Sequence, residues 1–158
     1  MAINTSNENL VQQFINEATT LYNYTSSKNM VGNPNYDSKH SVKLGKALDK
    51  LVKAIINSPS DMEEFIKLLD SKDLLIAYLA AEYLYPVSPT KCLKIMKKFH
   101  DKLDNKIDQF TVRTKLEGIS KQEAFFMDTY KKLYKCEDID SLNRENSIWL
   151  IIITKHHK

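Results

Sequence analysis

Apolar residues recur every three or four positions along most of the chain, which is the spacing of amphipathic α-helices. Positions rich in proline, glycine and asparagine interrupt this pattern and divide it into separate helices. The pattern predicts helices at about residues 7–26, 38–57, 60–69, 73–85, 89–103, 108–117 and 120–135. Between the first two, Gly32, Pro34 and the neighbouring asparagines predict a flexible loop.

Polar residues in front of the apolar runs predict where some of these helices begin. Ser60 and Ser120 each precede a glutamate by three residues, which is the spacing of a capping box and predicts both serines as N-caps. Gly118 is predicted to stop the helix at 108–117. Phe110 is among the apolar positions of that helix, and Phe125 is predicted to point inward from the helix that follows.

The most apolar predicted helix lies at residues 73–85 and carries Glu82 as its only charge after Asp73. A helix that is apolar nearly all round is buried on several sides, so this one is predicted to be central. Pro86 ends it, and Pro89 is well placed as the first residue of the next helix. Because the connection is short, the two helices are predicted to be antiparallel neighbours.

One set of residues in this region has the spacing of a repeat unit: Leu68-Leu69-Asp70, Asp73, Ile76, Ala80-Ala81, Leu84, Pro86-Val87-Ser88-Pro89 and Lys91-Cys92-Leu93. It resembles a HEAT-type repeat, and its continuation resembles a small bacterial family of HEAT-like proteins of unknown function. The resemblance is best over residues 60–118. One departure is Ala77, where such repeats often carry an arginine. The resemblance implies an all-α, HEAT-like right-handed α-α superhelix of about six to eight helices, and a binding scaffold.

The length of the chain fits one domain, since 158 residues are enough for a substantial core. We expect a single helical domain over residues 1–158, with a C-terminal capping segment at 119–158. Residues 142–153 are predicted to form a last helix, although 148–153 is rich enough in β-branched residues to form a strand instead. This apolar run is expected to cap the fold, and docking of a partner or a second copy is the alternative.

Composition is that of an ordinary soluble protein, with 27% charged residues and a net charge of +3. This charge permits nucleic-acid binding without arguing for it. The two cysteines, Cys92 and Cys136, lie far apart and suit a reducing compartment, so we expect a cytoplasmic protein. Residues 1–9 lack the apolar core of a signal peptide, and no apolar run reaches ~18 residues, so no membrane segment is expected.

The first candidate site is a row of lysines on the helix at 89–103. Lys91, Lys94, Lys98 and Lys102 recur at spacings of three and four, which places them in one stripe opposite the apolar seam. Such a stripe can meet an acidic protein or a phosphate backbone. A protein partner is favoured because lysine without arginine reads bases poorly. The alternative interpretation is a solvated outer helix face.

The second candidate site lies on the central helix, where Tyr78, Glu82 and Tyr85 share one side. Tyrosine is favoured at interfaces because it combines an apolar body with a polar tip. The alternative is that the tyrosines belong to the core and that Glu82 reaches solvent.

Catalytic, metal and cofactor sites are not indicated. His40 and His100 have no Asp or nucleophile in a recognisable pattern nearby. The chain has no phosphate-binding glycine loop, no zinc motif and no nucleophile elbow. We therefore expect no enzyme activity, no cofactor and no metal.

The sequence thus favours a non-catalytic protein-binding module. Small bacterial proteins of the resembling type are often immunity proteins, which block a cognate toxin by covering its catalytic surface. The partner would contact the lysine stripe or, for a toxin with a basic cleft, an acidic set consisting of Asp61, Glu63, Glu64, Asp70 and Asp73. The alternative function is nucleic-acid binding through the lysine stripe.

Overall fold

The structure is a computed structural model, and it describes residues 9–137. These residues contain eight α-helices, one 3₁₀ turn at Leu68–Asp70 and no strand, which confirms the all-α prediction over this part of the chain. The helices are α1 (Leu10–Thr25), α2 (Ser27–Met30), α3 (Ser38–Ile56), α4 (Pro59–Lys67), α5 (Leu74–Leu84), α6 (Pro89–Lys102), α7 (Lys106–Ser120) and α8 (Ala124–Tyr134). The predictions for residues 142–153 lie outside the described residues.

The chain divides into two compact units, with the boundary between Met62 and Glu63 inside α4. In the first unit α1 packs against α3. Asn9 caps α1 by accepting a hydrogen bond from the Gln12 backbone N–H at 2.6 Å. The core residues of the two helices are Val11, Phe14 and Ala18 from α1 and Leu48, Val52 and Ile55 from α3.

The predicted loop between α1 and α3 is more ordered than its composition indicates, because it contains α2. A cluster of rings joins the C-terminal end of α1 to the end of this segment and to the start of α3. Tyr24 stacks on Tyr36 with ring centroids 5.1 Å apart and meets His40 edge-on at 5.0 Å. The Tyr24 hydroxyl also accepts a hydrogen bond from the Asp37 backbone N–H at 2.8 Å. These contacts fix the N-terminal end of α3.

The second unit is organised around α5, as its apolar sequence predicts. Asp73 caps this helix by accepting a hydrogen bond from the Leu75 backbone N–H at 3.0 Å. α5 packs against the 3₁₀ turn and α6, and α6 packs in turn against α7. Six α5 residues are buried: Ala77, Tyr78, Leu79, Ala80, Ala81 and Leu84.

The C-terminal end of α5 receives hydrogen bonds from α8. A helix leaves its last carbonyl groups without partners in the helix itself. Here the Tyr130 hydroxyl donates to the Glu82 carbonyl, and the Tyr134 hydroxyl donates to the Tyr83 carbonyl at 2.7 Å. Burial raises the pKa of both tyrosines well above the ordinary range, so the hydroxyls stay protonated and remain donors.

Three predictions about helix ends are wrong. α4 begins at Pro59, one residue before the predicted cap Ser60. Ser120 is the last residue of α7, and the N-cap position of α8 is Glu123. Gly118 lies inside α7, where an added Cβ would collide with the Phe126 ring. Glycine is therefore present for close packing and does not stop the helix.

Candidate functional site

The lysine stripe on α6 is only partly available. The Lys91 Nζ lies 2.6 Å from the Asp70 Oδ1, and the Lys91 side chain is 23% exposed. Lys94, Lys98 and Lys102 are exposed and form no ion pair within residues 9–137. The stripe therefore presents three ammonium groups and one neutralised lysine.

A second ion pair lies beside the stripe on α6. Lys97 approaches Asp101 with its Nζ 3.7 Å from Oδ2, and the His100 Nδ1 lies 3.0 Å from the Asp101 Oδ1. The hydrogen bond with His100, together with the nearby Lys97 charge, lowers the pKa of the Asp101 carboxyl. This carboxylate therefore offsets part of the positive charge of α6.

Tyr78 and Tyr85 are buried inside the second unit. Tyr78 stacks on Phe99 with ring centroids 4.3 Å apart, and its hydroxyl donates to the Glu82 Oε2 at 3.1 Å. Tyr85 stacks on Tyr130 at 5.8 Å. The structure favours the alternative interpretation, in which these tyrosines form part of the core.

Glu82 does not reach freely into solvent, since its side chain is only 18% exposed. Its Oε2 lies 3.1 Å from the Lys115 Nζ of α7 and also accepts the hydrogen bond from Tyr78. The carboxylate thus links α5 to α7 through its Oε2. Its geometry assigns it a structural role.

Two large aromatic side chains lie on the surface of the second unit. Phe110 on α7 is 64% exposed and Phe125 on α8 is 77% exposed, so the prediction that Phe125 points inward is wrong. The exposure of Phe110 could have been predicted from helix geometry. On a regular helix Phe110 lies about 160° away from Val112, which is buried. Ile107, one turn before Phe110, is also exposed.

α3 carries a second row of lysines that the sequence analysis did not select. The α3 lysine row is exposed along its whole length and consists of Lys39, Lys43, Lys46, Lys50 and Lys53. A cavity of about 390 Å³ adjoins its N-terminal half and is lined by Asp37, Lys39, His40, Val42, Lys43 and Lys46. The regular spacing of these lysines could have identified the row from the sequence.

The predicted acidic set is partly engaged in structural contacts. Asp70 pairs with Lys91, and Asp73 caps α5. Cys92 is buried, and burial raises the pKa of its thiol, which makes it a poor nucleophile. In residues 9–137 no group of three or more His, Cys, Asp or Glu side chains is arranged to hold a metal ion.

No helix in the described part of the chain is long and apolar enough to cross a membrane. Comparison of the chain with protein-family models, with curated proteins and with solved structures finds no match.

Proposed function

We propose that the protein is a non-catalytic binding module and that the second unit carries its surface for a protein partner. The supporting observation is the exposure of Phe110 and Phe125 in a unit whose other large aromatic residues are mostly buried. Aromatic side chains are enriched in protein interfaces and often contribute a large share of the binding energy.

The charge of this unit indicates the chemistry of the partner. α6 presents Lys94, Lys98 and Lys102, and α7 presents an exposed Arg113. Cationic groups favour a partner with acidic side chains, because complementary charge accelerates encounter and disfavours basic partners. The proposed partner surface therefore has apolar sockets for phenyl rings and carboxylates near them.

The finer form of the proposal is an immunity protein of the bacterial cytoplasm that covers the catalytic surface of a toxin. The support for this form is the resemblance of residues 60–118 to HEAT-like proteins, which also makes a HEAT-like superhelix part of the proposal. The mechanism needs no chemistry from this chain. A preformed helical surface would block substrate access as long as the complex lasts.

Capture of the partner tests the proposal. The tagged chain is used to recover proteins from the cells that produce it, after nuclease treatment, and the recovered proteins are identified by mass spectrometry. We expect one stoichiometric protein that is lost with Phe110→Asp/Phe125→Asp. Val42→Asp is the matched control, because Val42 is an exposed apolar residue of the first unit. Retention of the partner by the double variant would contradict the proposed surface.

The second candidate function is nucleic-acid binding through the α6 stripe. It has weaker support, because the Lys91 charge is neutralised by Asp70. Loss of duplex binding in Lys94→Glu/Lys98→Glu would favour it.

A further inference from the structure

The α3 lysine row is a compact line of positive charge. With 3.6 residues per turn, its five members fall within about 80° of the helix circumference. With a rise of 1.5 Å per residue, the line from Lys39 to Lys53 extends over about 21 Å. The ammonium groups therefore lie along one face and can act together on an extended anion.

Carboxylates do not neutralise the row. Within the described ranges of the chain, none of the five lysines forms an ion pair. Asp49, the only acidic residue of α3, is half-buried and is not paired with a row lysine. Asp37 adjoins the N-terminal end of the row as an exposed carboxylate, and its Oδ1 accepts a hydrogen bond from the Lys39 backbone N–H at 2.9 Å. Its single negative charge offsets part of the positive charge at that end, and the row as a whole stays positive.

The backbone that carries the row is held in place. The opposite face of α3 buries Leu48, Val52 and Ile55 in the core of the first unit. At the N-terminal end, the ring contacts of Tyr24 with Tyr36 and His40 fix the start of the helix. Little backbone freedom is left to lose when an anion binds, which lowers the entropic cost of association.

The N-terminal half of the row adjoins a concave surface. Lys39, Lys43 and Lys46 line the cavity of about 390 Å³ together with one carboxylate, that of Asp37, so positive charge exceeds negative charge in its lining. This depression is open to solvent, so an anion could enter it directly. The positive charge of the row and the concave surface therefore lie at the same end of α3.

The chemistry of the row fits phosphate better than protein. The row consists of lysine alone, without the exposed phenyl rings and arginine of the second unit that anchor protein interfaces, and its ammonium groups are strongly hydrated point charges. Such a charge neutralises phosphates without reading the bases. The row itself contains no aromatic ring on which unpaired bases would stack, so a duplex fits it better than a single strand.

We propose that the α3 lysine row binds the phosphate backbone of duplex nucleic acid without sequence preference. This activity belongs to the first unit and is separate from the protein-binding surface proposed for the second. The two proposals can therefore fail independently. Phe110 and Phe125 take no part in the proposed duplex binding, so their substitution tests the protein-binding surface alone.

Fluorescence anisotropy of the full chain with a labelled duplex of about 20 base pairs tests the proposal, with salt varied between about 50 and about 200 mM. Neutralisation of one phosphate by each lysine gives a slope of log affinity against log salt of about −4.5. The affinity is then expected to fall ~500-fold over this salt range.

The variant Lys43→Gln/Lys50→Gln removes two charges from the middle of the row. We expect its slope to become shallower by about 1.8, so that affinity falls only ~40-fold over the same range. Lys43→Arg/Lys50→Arg should retain the original slope because it keeps both charges. The matched control is Lys94→Gln/Lys98→Gln, which removes two exposed lysines from α6 and should leave the slope unchanged. Circular dichroism confirms that each variant remains helical.

Three results would overturn the proposal. The first is the absence of duplex binding by the original chain at about 50 mM salt. The second is an equal loss of slope in the α3 and α6 double variants, which would indicate a response to net charge alone. The third is binding of labelled polyglutamate as tight as binding of the duplex, which would assign the row to an acidic protein.

Discussion

α3 and α6 carry the same charged side chains, with five lysines, one aspartate and one histidine in each helix. Their surfaces nevertheless differ. In α6, Lys91 pairs with Asp70 and Lys97 pairs with Asp101, whereas no lysine of α3 forms an ion pair in the part of the chain that the structure describes. The Lys97 pair lies within α6 and the Lys91 pair reaches the 3₁₀ turn, so the charge that a helix offers to a ligand depends on the spacing of its own residues and on its neighbours in space.

The arrangement of the lysines also differs. The α3 lysines fall within about 80° of arc, while those of α6 spread over about 140° because Lys97 lies apart from the stripe. A narrow arc directs all five charges at one ligand. Two properties therefore distinguish the helices: how many of their lysines form ion pairs, and how wide an arc the lysines cover. By both, α3 suits a polyanion, whereas α6 suits the edge of a protein interface.

A substitution in the core of the second unit should destabilise that unit and leave the α3 lysine row intact. Tyr78→Ala removes a buried ring that stacks on Phe99, and it should lower the free energy of unfolding of the second unit by about 3–5 kcal/mol. Urea unfolding followed by circular dichroism measures this loss. Tyr78→Phe is the control, because it keeps the ring and removes the hydrogen bond to Glu82, at a cost of about 1 kcal/mol.

The same variant tests whether the α3 row works without an intact α5–α6 contact. Below the unfolding midpoint, Tyr78→Ala should bind the duplex with unchanged affinity, because the row draws its support from Leu48, Val52 and Ile55 in the first unit. A parallel loss of duplex binding would show that the row depends on the second unit.

Alkaline pH should destabilise the second unit, because burial raises the pKa of one thiol and two phenols there. Burial raises the pKa of Cys92, Tyr130 and Tyr134 above their ordinary values of 9.0 for the thiol and 10.0 for the phenols. Above about pH 9–10 the unfolded chain releases protons that the folded unit retains, so the free energy of unfolding falls as pH rises. Each group contributes a slope of up to about 1.4 kcal/mol per pH unit.

Urea unfolding at several pH values checks this slope, and tyrosinate absorbance reports when the phenols ionise. Tyr130→Phe is the control, because it should make the slope shallower by the share of one group. A free energy of unfolding that does not change between about pH 9 and 11 would contradict the burial of these protons.

Removal of the two carboxylates that pair with α6 lysines tests why duplex binding differs between α6 and α3. Asp70→Asn/Asp101→Asn removes the partners of Lys91 and Lys97, and it is made in the Lys43→Gln/Lys50→Gln background. If pairing is what separates α6 from α3, the salt slope of duplex binding should steepen by up to about 1.8. An unchanged slope would show that the narrower arc of α3 separates the two rows, and not pairing.

Local signals in the sequence predicted much of the helical framework. The apolar character of residues 73–85 and the break at Pro86 predicted α5 to within one residue at each end, and Asp73 is its cap. The spacing of Lys94, Lys98 and Lys102 likewise predicted an exposed stripe. These features depend on residues a few positions apart, which a sequence displays directly.

Contacts between distant residues could not be predicted in this way. Asp70 lies 21 positions before Lys91, and Tyr130 lies 48 positions after Glu82. Nothing in the local pattern around Lys91 or Glu82 distinguishes a paired side chain from a solvated one. The exposure of Phe125 was also missed, because apolar character alone does not show which side of α8 faces the core.

Lysine footprinting tests the assignment of duplex binding to α3 most directly. The full chain is acylated with and without the duplex at low salt, and mass spectrometry measures the rate at each lysine. We expect the five lysines of the α3 row to become protected, while Lys94, Lys98 and Lys102 react at unchanged rates. Protection of Lys94, Lys98 and Lys102 with no protection on α3 would contradict the assignment.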